Sequence, residues 1–134
     1  MDIRRPILWV ALGSAAGGVA RFFVSGVVAR GIGGTFPWGT MVVNVTGAFA
    51  IGVLSAAAGR HRFFARPEAW PLLVTGFLGS YTTVASFSLQ TLALARDGET
   101  RRAVANLLLT LALGLAAVAA GAFAAPWLLH GIGA

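Results

Sequence analysis

Between Pro71 and Leu92 an apolar stretch is interrupted by Gly76, Gly79, Ser80, Thr82, Thr83, Ser86 and Ser88. Backbone surrounded by lipid must pair every N–H and C=O, so irregular chain survives at that depth only against protein or a polar cavity. Hydroxyls gathered at such an interruption are neutral hydrogen-bond donors, which suit an ion pathway better than bond-making chemistry. Other apolar stretches carry Arg21, Thr40, Asn44, Thr46, Asn106 and Thr110. Thr40 and Asn44 are four residues apart, as are Asn106 and Thr110, so each pair shares a helix face. Each polar stripe serves either interhelical hydrogen bonding, worth about 0.6 kcal/mol per pair in membranes, or contact with a passing anion. Thr46 and Ser25 suit the first role.

What is missing narrows the chemistry further. All four acids, Asp2, Glu68, Asp97 and Glu99, fall in loops or termini. The apolar stretches therefore lack the titratable carboxylate with which a proton-coupled exporter exchanges proton for cargo. The chain has no cysteine, which removes disulfides, thiolate metal sites and cysteine nucleophiles together. His61 and His130 have no acid or second histidine at ligand spacing. The glycine run from Gly13 to Gly18 lies inside an apolar segment with no strand before it, so it is not a nucleotide phosphate cradle. Tyr81, beside the interruption, either packs or lends its hydroxyl.

The elements that must position these groups are membrane helices. Of the 134 residues 57% are hydrophobic and 10% charged, too little polar surface for a soluble domain of this length. Four apolar segments, roughly residues 7–29, 37–58, 70–94 and 103–125, each approach the ~20 residues a span requires. The sequence is therefore expected to be all-α and integral to the membrane, a single four-span domain over residues 1–134 with its third helix broken at the centre. The first segment follows Arg4 and Arg5 as a signal peptide would, but its length, its glycines and the three spans after it mark it as retained. Gly-rich Arg30–Pro37, basic Arg60–Pro67 and Arg96–Arg102 form the turns, and Asp97, Glu99 and Thr100 resemble the acidic, capped start of a helix. Trp9, Trp38, Trp70 and Trp127 fall at segment ends, where amphipathic rings favour the headgroup region.

Two features bear on assembly. Gly13 with Gly17, Gly47 with Gly52 and Gly114 with Gly121 make faces on which helices approach closely, and a homodimer is the natural inference. The net charge of +6 comes from ten arginines and no lysine, most of them in loops, so the expected partner is the lipid bilayer and not nucleic acid. Arg4, Arg5, Arg60, Arg62 and Arg66 lie on one side, against Arg30, Arg96, Arg101 and Arg102 on the other. Because Lys/Arg asymmetry in short loops sets orientation, five against four leaves the two orientations nearly equal in energy, and the chain can insert both ways.

Several motifs resemble the Fluc or CrcB fluoride channels of bacteria along nearly the whole chain. GSAAGGVARFFVS, Gly13 to Ser25, is similar to the family's glycine-rich segment that ends in an arginine and an aromatic, and Arg21 matches that arginine. FPWGTMVVNVTGAFAIGVL, Phe36 to Leu54, is similar to Pro-x-Gly-Thr-x-x-x-Asn-x-x-Gly-x-Phe, and Asn44 matches the pore asparagine. NLLLTLALGL, Asn106 to Leu115, resembles the polar track of the fourth span. GFLGSYTTVASFSLQ, Gly76 to Gln90, is similar to Gly-Phe-x-Gly-Gly-x-Thr-Thr-Phe-Ser-Thr-Phe-Ser-x-Glu, with departures that include Ser80, Val84, Ala85 and Gln90.

The resemblance implies a passive channel exporting cytoplasmic fluoride across the bacterial inner membrane, and no enzyme. It implies an antiparallel dual-topology homodimer with two pores at the interface. It places Asn44, Thr40, Thr83, Phe87, Ser88, Asn106 and Thr110 along the ion pathway and Arg21 at a vestibule. Phenylalanine ring edges there face the anion with the positive part of the quadrupole, an edge that Val84 lacks. It also implies a structural sodium ion held by the backbone carbonyls of Gly79 and Thr82, since carbonyl oxygens suit a hard cation. The substitutions at Val84, Ala85 and Gln90 fit a second reading, a non-conducting or partner-requiring subunit paired with a paralogue. A small dual-topology multidrug transporter shares the size and the four spans, but needs an intramembrane glutamate that this chain lacks.

Overall fold

The computed structural model describes residues 2–131, and among them all regular structure is helical. Helix α1 spans Arg4–Ile32, α2 spans Trp38–Ala57, α3 spans Trp70–Leu78, α4 spans Val84–Arg96 and α5 spans Thr100–Leu128. Counting Trp70–Arg96 as one run, four helices are long and apolar enough to cross a membrane. The chain is thus a multi-pass membrane protein with the four spans that its hydropathy predicts.

The ends of these helices follow local chemistry. Asp2 Oδ1 accepts the Arg4 backbone N–H at 3.0 Å, placing a carboxylate at the positive end of α1. At the other end Arg30 occupies the last turn, and Gly33, at φ 101°, returns its N–H to the Ala29 carbonyl. Pro37 precedes the first residue of α2, where a missing N–H costs nothing. Pro71 sits equally harmlessly in the first turn of α3, which is wound as a π-helix. After one α-turn, Gly79–Tyr81, the backbone turns extended at Thr82 (ψ 156°) and Thr83 (φ −151°, ψ 114°), and helix resumes at Val84.

Small residues set which helices touch. A β-carbon on Gly13 would collide with the Leu72 carbonyl and one on Gly17 with the Phe77 carbonyl, so α1 lies directly on the π-wound α3. Gly52 meets the Val118 carbonyl and Gly121 meets the Phe49 carbonyl, a reciprocal pair that brings α2 and α5 to backbone contact. Gly114 has nothing within 4 Å, so the expected Gly114–Gly121 face packs inside the chain through Gly121 alone. The inner cluster is Val43, Leu78 and Tyr81, with the Tyr81 ring stacked on Phe77 at 5.8 Å. A second cluster, Ala57, Ala125 and Leu129, closes the far end of α2 against α5. Helix α4 is different: none of its residues is buried, and Val84 is 78% exposed.

Candidate functional site

The site grows out of the two extended residues. In a continuous helix the Thr83 N–H would reach the Gly79 carbonyl and the Ser86 N–H would reach that of Thr82. Here the Thr83 N–H donates to Asn44 Oδ1 at 2.8 Å, and the Ser86 N–H donates to Thr83 Oγ1 at 3.1 Å. The second bond is an N-cap for α4, with threonine in the extended conformation that caps prefer. Asn44 Nδ2 in turn donates to the Thr83 carbonyl at 3.1 Å, so one amide side chain serves both polar groups of one peptide residue. Thr82 Oγ1 donates to the Leu78 carbonyl at 2.9 Å. The hydroxyls of Thr46 and Tyr81 stand 2.9 Å apart across the same junction, while Thr46 also donates to the Val42 carbonyl. Tyr81 therefore both packs and lends its hydroxyl.

The same exchange of partners bears on a cation. The carbonyls of Gly79 and Thr82 have lost their helical donors to Asn44 and to Thr83 Oγ1, which leaves oxygen lone pairs free of the usual ladder. Hard oxygen donors of this kind fit sodium. No cluster of three or more His, Cys, Asp or Glu able to hold a metal occurs among the described residues.

Beside the junction lies an open cleft of about 260 Å³ between α1, α2 and α4, walled by Arg21, Ser25, Thr40, Thr83, Ser86 and Gln90, with Phe22 and Val43 as its apolar part. A neighbouring space of about 310 Å³ shares Thr40 and Gln90 and runs to Gly34 and Pro37. A third, of about 450 Å³, again includes Gln90 and reaches Asp97, Glu99 and Arg102. Gln90 thus stands where the three meet, and its buried Oε1 has no hydrogen-bond partner. Charge in the inner cleft is confined to the Arg21 guanidinium; the remaining polar wall consists of neutral hydroxyl and amide groups.

A separate polar track ties α5 to α4. Asn106, 2% exposed, donates from Nδ2 to Thr91 Oγ1 at 2.9 Å, and Thr91 donates to the Phe87 carbonyl at 2.7 Å. Thr110 Oγ1 completes the line with a 3.4 Å bond to Asn106 Oδ1. The Thr110–Asn106 pair expected from the spacing is therefore present, with Thr91 as a third member that sequence reasoning missed. Thr91 lies four residues after Phe87, and that spacing is the one signal that could have found it.

The predicted residues thus fall into three groups. Arg21, Thr40 and Thr83 meet in the cleft together with Ser25, Ser86 and Gln90, and Asn44 reaches the same junction through Thr83. Asn106 and Thr110 form the track behind α4, which reaches Phe87 through its carbonyl. Ser88 is exposed on the open side of α4 beside Val84 and Leu89, away from both.

Four helices long and apolar enough to cross a membrane, with a cleft of neutral donors around one guanidinium, define a small polytopic membrane protein. Residues 8–122 match the family described as "CrcB-like protein, Camphor Resistance (CrcB)", and the chain belongs to that family. It is 61% identical over 125 residues to "Fluoride-specific ion channel FluC 2" of Rhodopseudomonas palustris, covering 92% of this chain and 95% of that protein. It is 55% identical over 116 residues to "Fluoride-specific ion channel FluC 2" of Bradyrhizobium diazoefficiens, covering 86% and 85%. It is also 45% identical over 131 residues to "Fluoride-specific ion channel FluC 3" of Brucella suis, covering 97% and 98%. These relatives are ion channels and not enzymes.

Proposed function

We propose that this chain is a passive fluoride-selective channel of the bacterial inner membrane, working as an antiparallel dual-topology homodimer with two pores. The reading rests on the cleft that gathers Arg21 with Thr40, Thr83 and Ser86 and contains no carboxylate, together with the printed activity of relatives that match almost the full chain. Fluoride is small and strongly hydrated. Arg21 raises its local concentration, and neutral hydroxyls replace lost water without holding the ion too tightly to leave. Asn44 and Asn106 each commit one amide hydrogen within the protein, and an amide carries two, so each keeps a donor for the anion. Phe87 supplies a ring edge and Ser88 and Thr110 further hydroxyls. Passive export suffices because HF enters from acidic surroundings and dissociates inside, where the anion cannot cross lipid unaided.

The uncovered α4, with Val84 and Ser88 on its outer side and Gly114 left open on α5, supports a second copy as the missing partner. In that dimer the Gly79 and Thr82 carbonyls of the interrupted third helices would hold a central sodium, which would tie the copies together electrostatically. The 78% exposure of Val84, where the family pattern has phenylalanine, favours one alternative, a subunit that needs a paralogous partner to conduct.

Fluoride efflux from liposomes containing this chain alone, in sodium and in sodium-free buffer with chloride for comparison, tests the proposal. Rapid efflux of fluoride but not chloride, slowed without sodium and quickened by Val84→Phe, is the expected result. No efflux from well-folded dimers would overturn the homodimeric channel and turn the search to a partner subunit.

A further inference from the structure

At the end of the bundle remote from the polar cleft's outer mouth, a groove of about 600 Å³ opens between the start of α1 and the start of α3. Trp9, Phe63, Pro67 and Leu72 supply its apolar wall, and Arg66 and Glu68 its charged groups. We infer that this groove binds an anionic phospholipid, with the phosphodiester on Arg66 and the upper acyl chain along Trp9, Phe63 and Leu72. The inference does not depend on which ion the protein conducts.

Three observations carry it. First, the groove lies at headgroup depth. Trp9 is in the second turn of α1 and Leu72 in the first turn of α3, with Trp70 half exposed beside it, and indole rings settle at that level of a bilayer. Second, the Arg66 guanidinium is pre-positioned, its Cζ 5.9 Å from the centroid of the Phe63 ring. A guanidinium held over an aromatic ring at that distance keeps its N–H fork for a phosphate, and it is less strongly hydrated than an ammonium. Third, the charge at this end complements an anion. The start of α1, the turn after α2 and the approach to α3 carry Arg4, Arg5, Arg60, Arg62 and Arg66 against Asp2 and Glu68. Glu68 is the one acid in the groove wall, so an ammonium headgroup finds a single counter-charge in a cationic field.

The test uses tryptophan fluorescence of the purified full chain in detergent, titrated with phospholipid brominated in the upper acyl chain. The contribution of Trp9 is isolated by difference from Trp9→Phe. Brominated phosphatidylglycerol should quench that contribution at about one-fifth the mole fraction that phosphatidylcholine requires, the effect of one arginine near an anionic lipid surface. Arg66→Gln should remove the preference, and Glu68→Gln should retain or increase it. Equal quenching by the two lipids, a preference for phosphatidylethanolamine, or a phosphatidylglycerol preference that survives Arg66→Gln would each overturn the assignment. Circular dichroism of each variant shows that the fold is intact.

Discussion

Asn44 provides the sharpest test of how the interrupted span is held. Its amide accepts from the Thr83 N–H at 2.8 Å and donates to the Thr83 carbonyl at 3.1 Å. Asn44→Ala removes both bonds and leaves the Thr83 N–H and carbonyl without their side-chain partner. Side-chain hydrogen bonds inside membranes average about 0.6 kcal/mol and reach about 1.7 kcal/mol, so losing two should destabilise the protein by roughly 1–3 kcal/mol. Asn44→Leu discriminates a clamp from mere packing, because it fills nearly the same volume and makes neither bond. Thermal unfolding in detergent should find Asn44→Leu destabilised along with Asn44→Ala, since both leave the Thr83 N–H and carbonyl without their partner. An Asn44→Leu or an Asn44→Ala as stable as wild type would refute the clamp.

Gly17→Val places a branched side chain against the Phe77 carbonyl, where even a β-carbon does not fit, so α1 must move off α3 at a cost of roughly 1–3 kcal/mol; the same change at Gly114, with nothing within 4 Å, should leave the fold of a single chain unchanged, and paired melting curves check both. Thr91→Val keeps the shape but deprives the Phe87 carbonyl of its hydroxyl donor and Asn106 of its acceptor. With Asn106 2% exposed, the loss should be about 1–3 kcal/mol in thermal stability, whereas Thr91→Ser should recover most of it.

Much of this architecture was legible in the residues because lipid leaves a chain few choices. Apolar runs of about the right length become spanning helices, since nothing else satisfies a backbone in hydrocarbon. The hydroxyls near Thr83 and the pairs Thr40–Asn44 and Asn106–Thr110 stood out because polar groups are expensive there. Their spacing also placed Thr110 beside Asn106 correctly. The absence of an intramembrane carboxylate pointed in the same way toward neutral donors.

Partner choice was decided by the tertiary fold alone. Whether Asn44 faces an anion or a backbone depends on what α2 meets, and Thr83 is 39 residues away in sequence. Thr91 joins a polar track only because α5 brings Asn106 within 2.9 Å. The π-winding of Trp70–Leu78, the segment that meets Gly13 and Gly17, carries no periodic signature in the sequence. Gln90 read simply as a departure from a pattern, yet the packing of α1, α2 and α4 sets it where three clefts join. Hydropathy acts on each residue separately and so can be read along the chain. Hydrogen bonds and close backbone contacts need two surfaces at a defined distance, and only the folded bundle supplies the second.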